Sequence, residues 1–210
     1  MLKAILWDND GVLVDTEHLY FAATRDVLAR RGIALSDEQY HELFLAQSRG
    51  ILYFAERHDW PEGELDEVRR ERSALYADLL REHSRVLDGV EEVLRALHGR
   101  YAMGIVTSSQ REHFDIIHEN SGLLQYFDFV LAAGDYSEPK PHPAPYLKGV
   151  ERAGVRKAEC LVVEDSERGL ASATAAGIRC VIVPSRLTAG RRFTAAHRVL
   201  GNIRELPAIL

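Results

Sequence analysis

Five short apolar runs constrain the fold of this 210-residue chain more than any other feature: Leu2 to Asp8, Tyr101 to Thr107, Phe127 to Ala133, Cys160 to Asp165 and Arg179 to Pro184. Each reads as a buried strand. Helical patterns separate the later runs, and strands alternating with helices imply a mostly parallel sheet with right-handed crossovers. The expected fold is therefore α/β, with a Rossmann-like parallel sheet core.

The first and second runs are more than 90 residues apart, with almost no strand signal between them. That is far more than one crossover helix requires. Ser36-Asp-Glu-Gln39 reads as a capping box opening one helix, and Leu65, Val68, Leu75 and Leu79 mark the apolar stripe of another. The spacing predicts an inserted helical cap domain over residues 16–84, with residues 1–15 and 85–210 forming the core. The segments Val14-Asp15-Thr16 and Leu87-Asp88-Gly89-Val90 connect the two and could work as a paired hinge.

Composition narrows the function. The chain is 46% hydrophobic and 28% charged, enough for one core and an inserted module. A net charge of -6 argues against general nucleic-acid binding. It also means that an anionic substrate needs local positive charge, which 22 Arg and only 4 Lys must supply with a metal ion. No run approaches the roughly 18 apolar residues of a membrane span, and the N-terminus lacks a signal-peptide layout, so a cytoplasmic protein without membrane contact is expected. Cys160 and Cys180 flank strand-like runs and read as reduced core residues.

Chemistry-bearing residues gather at the expected strand ends. Asp8 and Asp10 lie where the first run meets the Gly11 turn, Thr107-Ser108-Ser109 follow the second, Lys140 follows the third, and Glu164-Asp165 end the fourth. A parallel sheet brings all four clusters to one edge, where open α/β sheets bind ligands. Together they could supply what phosphoryl transfer needs: a nucleophile, a proton donor, carboxylates for a divalent cation, and donors for phosphate oxygens. Taken singly, the same residues could be turns or helix caps, and Asp15 is read that way. His142, close to Lys140, is a candidate lining residue. His18, His58, His83, His98, His113, His118 and His197 show no metal-ligand pairing and read as mostly surface residues.

The stretches Trp7-Asp-Asn-Asp-Gly-Val-Leu-Val-Asp15, Val106-Thr-Ser-Ser109, Lys140-Pro-His-Pro143 and Val163-Glu-Asp-Ser-Glu-Arg-Gly-Leu170 occur in this order along the chain. In them the sequence resembles the haloacid dehalogenase superfamily of aspartate-dependent phosphohydrolases, in the subfamily with a helical cap that includes beta-phosphoglucomutase and phosphoglycolate phosphatase. The resemblance implies that Asp8 is the nucleophile, forming an aspartyl phosphate, and that Asp10 is the acid/base. It implies Mg2+ held by Asp8, the Asp10 carbonyl and Asp165, with Glu164 as a direct or second-shell ligand. Thr107 and the Ser108 backbone N–H would grip phosphate oxygens, and Lys140 would neutralise charge between Asp8 and the phosphate.

Departures within the superfamily narrow the reaction. Dehalogenases lack the second aspartate, which is present here as Asp10. Phosphonoacetaldehyde hydrolases need a cap lysine, and no lysine lies between Lys3 and Lys140. Ser48-Arg49 resembles the mutase segment that holds a non-transferred phosphate, and Arg72 falls on the apolar face of its helix. Against the mutase, Tyr20 replaces the histidine at the start of the cap, and Ala46 replaces the cap-loop glycine. Arg49, Arg72 and Tyr20 are thus the candidate cap specificity residues. The expectation is a Mg2+-dependent phosphatase acting on a small phosphate ester, such as a sugar phosphate or a phosphoglycolate-like compound, as a monomer or weak dimer. A beta-phosphoglucomutase-like enzyme is the alternative. A receiver-type phosphorylatable module would need neither a cap nor a substrate cavity.

Overall fold

The computed structural model describes residues 1–47 and 49–210. Six parallel strands form one sheet: β1 (Ala4–Trp7), β2 (Ala102–Val106), β3 (Phe129–Leu131), β4 (Cys160–Glu164), β5 (Arg179–Ile182) and β6 (Arg198–Val199), in the order β3-β2-β1-β4-β5-β6. β1 is central, with Leu6 in register with Gly104 on one side and Val162 on the other. All five apolar runs are strands, each shorter than its run. β6 was not expected, because its two exposed residues, Arg198 and Val199, carry no apolar signal.

Burial on both faces explains why the strand runs are continuously apolar. Along β1, Ile5 and Trp7 enter one hydrophobic cluster while Ala4 and Leu6 enter the other. Along β4, Leu161 and Val163 alternate in the same way with Cys160 and Val162. The first cluster is covered by α5 (Val90–Leu97) and α6 (Arg111–His118), and the second by α7 (Ala144–Ala153) and α8 (Glu167–Ala176). Cys160 and Cys180 are buried and unbridged.

The long insertion is helical: α1 (Glu17–Ala29), α2 (Asp37–Tyr40), a π-helical turn over His41–Ala46, α3 (Leu52–Arg57) and α4 (Glu64–His83). The Ser36 capping box is present, with the Gln39 N–H donating to Ser36 Oγ and the Ser36 N–H to Gln39 Oε1. A third cluster, including Phe21, Leu28, Tyr40, Phe44 and Val68, fills the space between these helices. α1 and α4 also reach the main core, where Leu19, Tyr76 and Leu80 join the cluster containing Trp7. The two connecting strands of chain are hydrogen-bonded to each other: Asp15 N–H donates to the Arg85 carbonyl at 2.8 Å, and Leu87 N–H to the Leu13 carbonyl at 3.0 Å.

Candidate active site

Residues after β1 begin the site. Gly11 has φ +83, and a Cβ there would fall 2.2 Å from Asp165 Oδ2, so only glycine lets this turn lie against the end of β4. Asp8 and Asp165 are thereby held side by side, both buried. Ser166, rather than either acid, caps α8 by accepting from Gly169 N–H. Gln110 occupies the N-cap of α6, so neither Thr107 nor Ser108 caps it, and Thr107 Oγ1 accepts from the Ser109 N–H at 3.0 Å.

Beneath the site lies a buried ion network. Lys140 Nζ donates to Asp8 Oδ1 at 2.7 Å, to Glu164 Oε1 at 2.7 Å and to the Val106 carbonyl at 2.9 Å. Glu164 also accepts from the Tyr146 hydroxyl at 2.6 Å and from Ser166 Oγ at 3.1 Å. Burial opposes the charge on Glu164, but the Lys140 ammonium outweighs it and lowers the carboxyl pKa. Asp8 shares that ammonium, yet burial and then the Glu164 charge raise its pKa to about 7. Burial also raises Asp165, followed by the charges of Glu164 and Asp8.

Asp10 sits above this network among hydroxyl donors. Its Oδ1 accepts from Thr16 Oγ1 at 2.5 Å and the Tyr76 hydroxyl at 3.4 Å. Its Oδ2 accepts from Ser109 Oγ at 2.5 Å, Thr107 Oγ1 at 3.2 Å and Asn9 Nδ2 at 3.3 Å. Ser108 Oγ is buried with no partner among the described residues.

A cavity of about 390 Å³ opens between these strand ends and the inserted helices. Asp8, Asp10, Thr107, Ser108 and Asp165 line its floor, while Tyr20, Arg49 and Arg72 line its upper wall. The Arg72 guanidinium lies over the Tyr20 ring at 4.7 Å, and the Arg49 side chain pairs with Glu56. Lys140 and Glu164 do not line the cavity. Ser48 lies outside the described residues.

Two histidine expectations need correction. His142 does not line the cavity: it is exposed, and its Nδ1 accepts from Ala144 N–H at 3.2 Å at the start of α7. His113 and His118 are buried, not surface residues. His118 bridges Asn9 and Ser121, at 2.8 Å to each, and His113 bonds Ser73 of α4 at 3.0 Å. Sequence reasoning also missed Glu17, Arg168 and Tyr76, which line the cavity. Arg168 had a usable signal, since it follows the Glu164-Asp165 pair at the N-terminal turn of a helix. Its Nε is buried without a partner among the described residues.

The donor set suits a hard divalent cation. Asp8, Glu164 and Asp165 each place a carboxylate oxygen within 4.8 Å of the others, all buried. Three carboxylates against one ammonium leave excess negative charge, which adds to burial in raising the Asp8 and Asp165 values. Glu164's oxygens are already engaged by Lys140, Tyr146 and Ser166, and Asp8 Oδ1 by Lys140, so Asp165 and the second Asp8 oxygen are better placed to face a cation.

A parallel sheet carrying paired aspartates, a buried lysine and hydroxyl donors at one edge is an α/β protein with the groups that phosphoryl transfer needs. The chain matches the family described as haloacid dehalogenase-like hydrolase over residues 5–183, and it belongs to that family. It is 32% identical over 206 residues to the CbbY protein of Rhodobacter capsulatus, covering 93% of this chain and 91% of that one. It is 29% identical over 184 residues to the fructose-1-phosphate phosphatase YqaB of Escherichia coli K12, covering 85% and 95%. The structure of CbbY from Rhodobacter sphaeroides in complex with phosphate superposes with a TM-score of 0.84 at 25% identity, covering 98% of this chain and 96% of that one. No helix of the described chain is long and apolar enough to cross a membrane.

Proposed function

We propose that this enzyme is a Mg2+-dependent phosphatase that hydrolyses a small phosphorylated metabolite, a sugar phosphate or phosphoglycolate-like ester, through an aspartyl phosphate on Asp8. The observation that carries the reading is that Asp8 and Asp10 open together on the same cavity while Lys140 lies buried behind Asp8. An Asp8 oxygen attacks phosphorus, and the ester P–O bond breaks as Asp10 gives its proton to the departing oxygen. Asp10 then takes a proton from the water that attacks the aspartyl phosphate, which releases phosphate and restores both carboxyls. Lys140 holds Asp8 in place, and Thr107 with the Ser108 N–H and hydroxyl supplies donors for phosphate oxygens. Mg2+, held by Asp8, Asp165 and the Asp10 carbonyl with Glu164 behind them, would lower the Coulomb cost of bringing an anionic phosphate to an anionic carboxylate.

We further propose that the enzyme acts as a monomer or weak dimer and works in the cytoplasm. The inserted helices of residues 16–84 act as a cap that closes over the substrate, with the paired segments at Asp15 and Arg85 as the hinge. The test is phosphate release from a panel of monoesters with Mg2+ and with chelator. Turnover is expected with Mg2+, and Asp8→Asn should reduce it by at least about 10³-fold, as loss of a covalent nucleophile does. Metal-independent turnover, or an active Asp8→Asn, refutes the proposal.

A mutase reading is favoured by one observation: Arg49, Arg69 and Arg72 all line the cavity, enough positive charge for a second anionic group. Incubation with beta-glucose 1-phosphate decides between them. Free phosphate is expected, and predominant glucose 6-phosphate would reverse the order.

A further inference from the structure

On α4, Tyr76 reaches Asp10 from the far side of the cavity. Five donors surround the Asp10 carboxylate, and four of them belong to the loops after β1 and β2: Asn9, Thr16, Thr107 and Ser109. Tyr76 is the fifth, and among the described residues it alone comes from the long inserted helix. Its hydroxyl donates to Asp10 Oδ1 at 3.4 Å while its ring is buried. Burial raises the phenol pKa well above its ordinary value, so the group remains an O–H donor throughout the working range.

The position of that hydroxyl is set by packing. Tyr20 meets the Tyr76 ring edge-on at 5.1 Å and His113 does so at 4.9 Å. His113, on α6, also bonds Ser73, one helical turn before Tyr76 on the same side of α4. Leu80, the next turn on, is fully buried among core residues. Tyr76 is therefore clamped between a bond to α6 and an apolar anchor, with its hydroxyl directed at Asp10.

Resting on the phosphatase reading above, we propose that Tyr76 is a positioning residue for Asp10, aligning the acid for protonation of the leaving oxygen. During cleavage the electron pair of the breaking P–O bond moves to the ester oxygen, and the Asp10 proton joins it there. An alkoxide leaves poorly without that proton. A nitrophenolate leaves well without it. A group that acts through the acid thus affects the two kinds of ester unequally, whereas a purely structural group affects both alike.

The experiment compares wild type with Tyr76→Phe, which keeps the ring and removes only the hydroxyl. Steady-state kcat and KM are measured for p-nitrophenyl phosphate and for the alkyl monoester that wild type turns over fastest, and thermal unfolding checks that the variant is folded. The expected result is a fall in kcat of about tenfold on the alkyl ester, part of what general acid catalysis is worth, and less than about twofold on the aryl ester, with KM little changed. An equal loss on both esters, or no loss on either, overturns the assignment. A wild type inert toward both esters refutes the phosphatase reading itself, and the role of Tyr76 falls with it.

Discussion

A Cβ on Gly169 would fall 1.8 Å from the Glu164 carboxyl carbon, so the first turn of α8 leaves the space in which that carboxylate sits. Glu164 is then free to grip Lys140 from below and fix the cation against Asp8. A second buried chain supports Asp10: His118 holds Asn9, and Asn9 Nδ2 donates to Asp10. Burial lowers the His118 pKa from 6.5 to about 4, so the folded protein keeps this imidazole neutral where the unfolded chain would protonate it. The unfolded state binds the extra proton between those values, so this contribution is complete above about pH 6.5 and is lost as the pH falls toward 4. Wild type is expected to lose about 1.6 kcal/mol of unfolding free energy from this residue between pH 6.5 and 5, the slope rising toward roughly 1.4 kcal/mol per pH unit as the unfolded imidazole becomes protonated. Urea titrations of wild type and His118→Gln at both values check it, and equal losses in the two proteins would contradict it. The strand-end acids and Lys140 were legible because each sits beside a glycine, proline or apolar run that marks its place locally. His118 and Glu17 were not, since only tertiary packing turns one face of a helix toward the site.

At the scale of the element, α4 shows how a readable pattern can still mislead about contacts. The expected stripe was Leu65, Val68, Leu75 and Leu79, yet the fully buried positions are Val68, Tyr76 and Leu80, with Leu65, Leu75 and Leu79 only half-buried. Positions 68, 72, 76 and 80 are one row at a spacing of four, and the row passes from the inserted helices' own cluster to the main core. Arg72 occupies the middle of that row and therefore faces the cavity. Its place was visible in the sequence; Tyr76's was not, because an amphipathic tyrosine marks no apolar period. Since Leu80 belongs to the same buried cluster as Trp7 and Leu13, the helix is anchored in the core of the sheet. Leu80→Ala should cost about 3 kcal/mol, in the range for emptying a buried leucine site. The loss should appear in one transition common to circular dichroism and tryptophan fluorescence. A separate early transition would show that α4 unfolds independently of the core.

Over the whole molecule, the parallel sheet was legible because strands buried on both faces have no choice but to be apolar, while β6 was not because an edge strand of two exposed residues needs no such signal. The charge distribution has its own consequence. The chain carries a net charge of -6, and a buried acidic cluster places Asp8, Glu164 and Asp165 together against a single lysine. Repulsion within that cluster destabilises the metal-free fold, so a cation that binds there stabilises the protein as a whole, by about 2.7 kcal/mol at a concentration 100 times its dissociation constant. For a chain of this size that corresponds to a rise in Tm of roughly 5–10 °C. Thermal unfolding should therefore shift upward with saturating Mg2+ and return with chelator, whatever the substrate. Asp165→Asn separates the two contributions: it removes a buried charge and a ligand together, so its metal-free Tm should equal or exceed that of wild type while the response to Mg2+ disappears. A metal-free Asp165→Asn that melts well below wild type would mean that the carboxylate is held by protein contacts rather than kept for a cation.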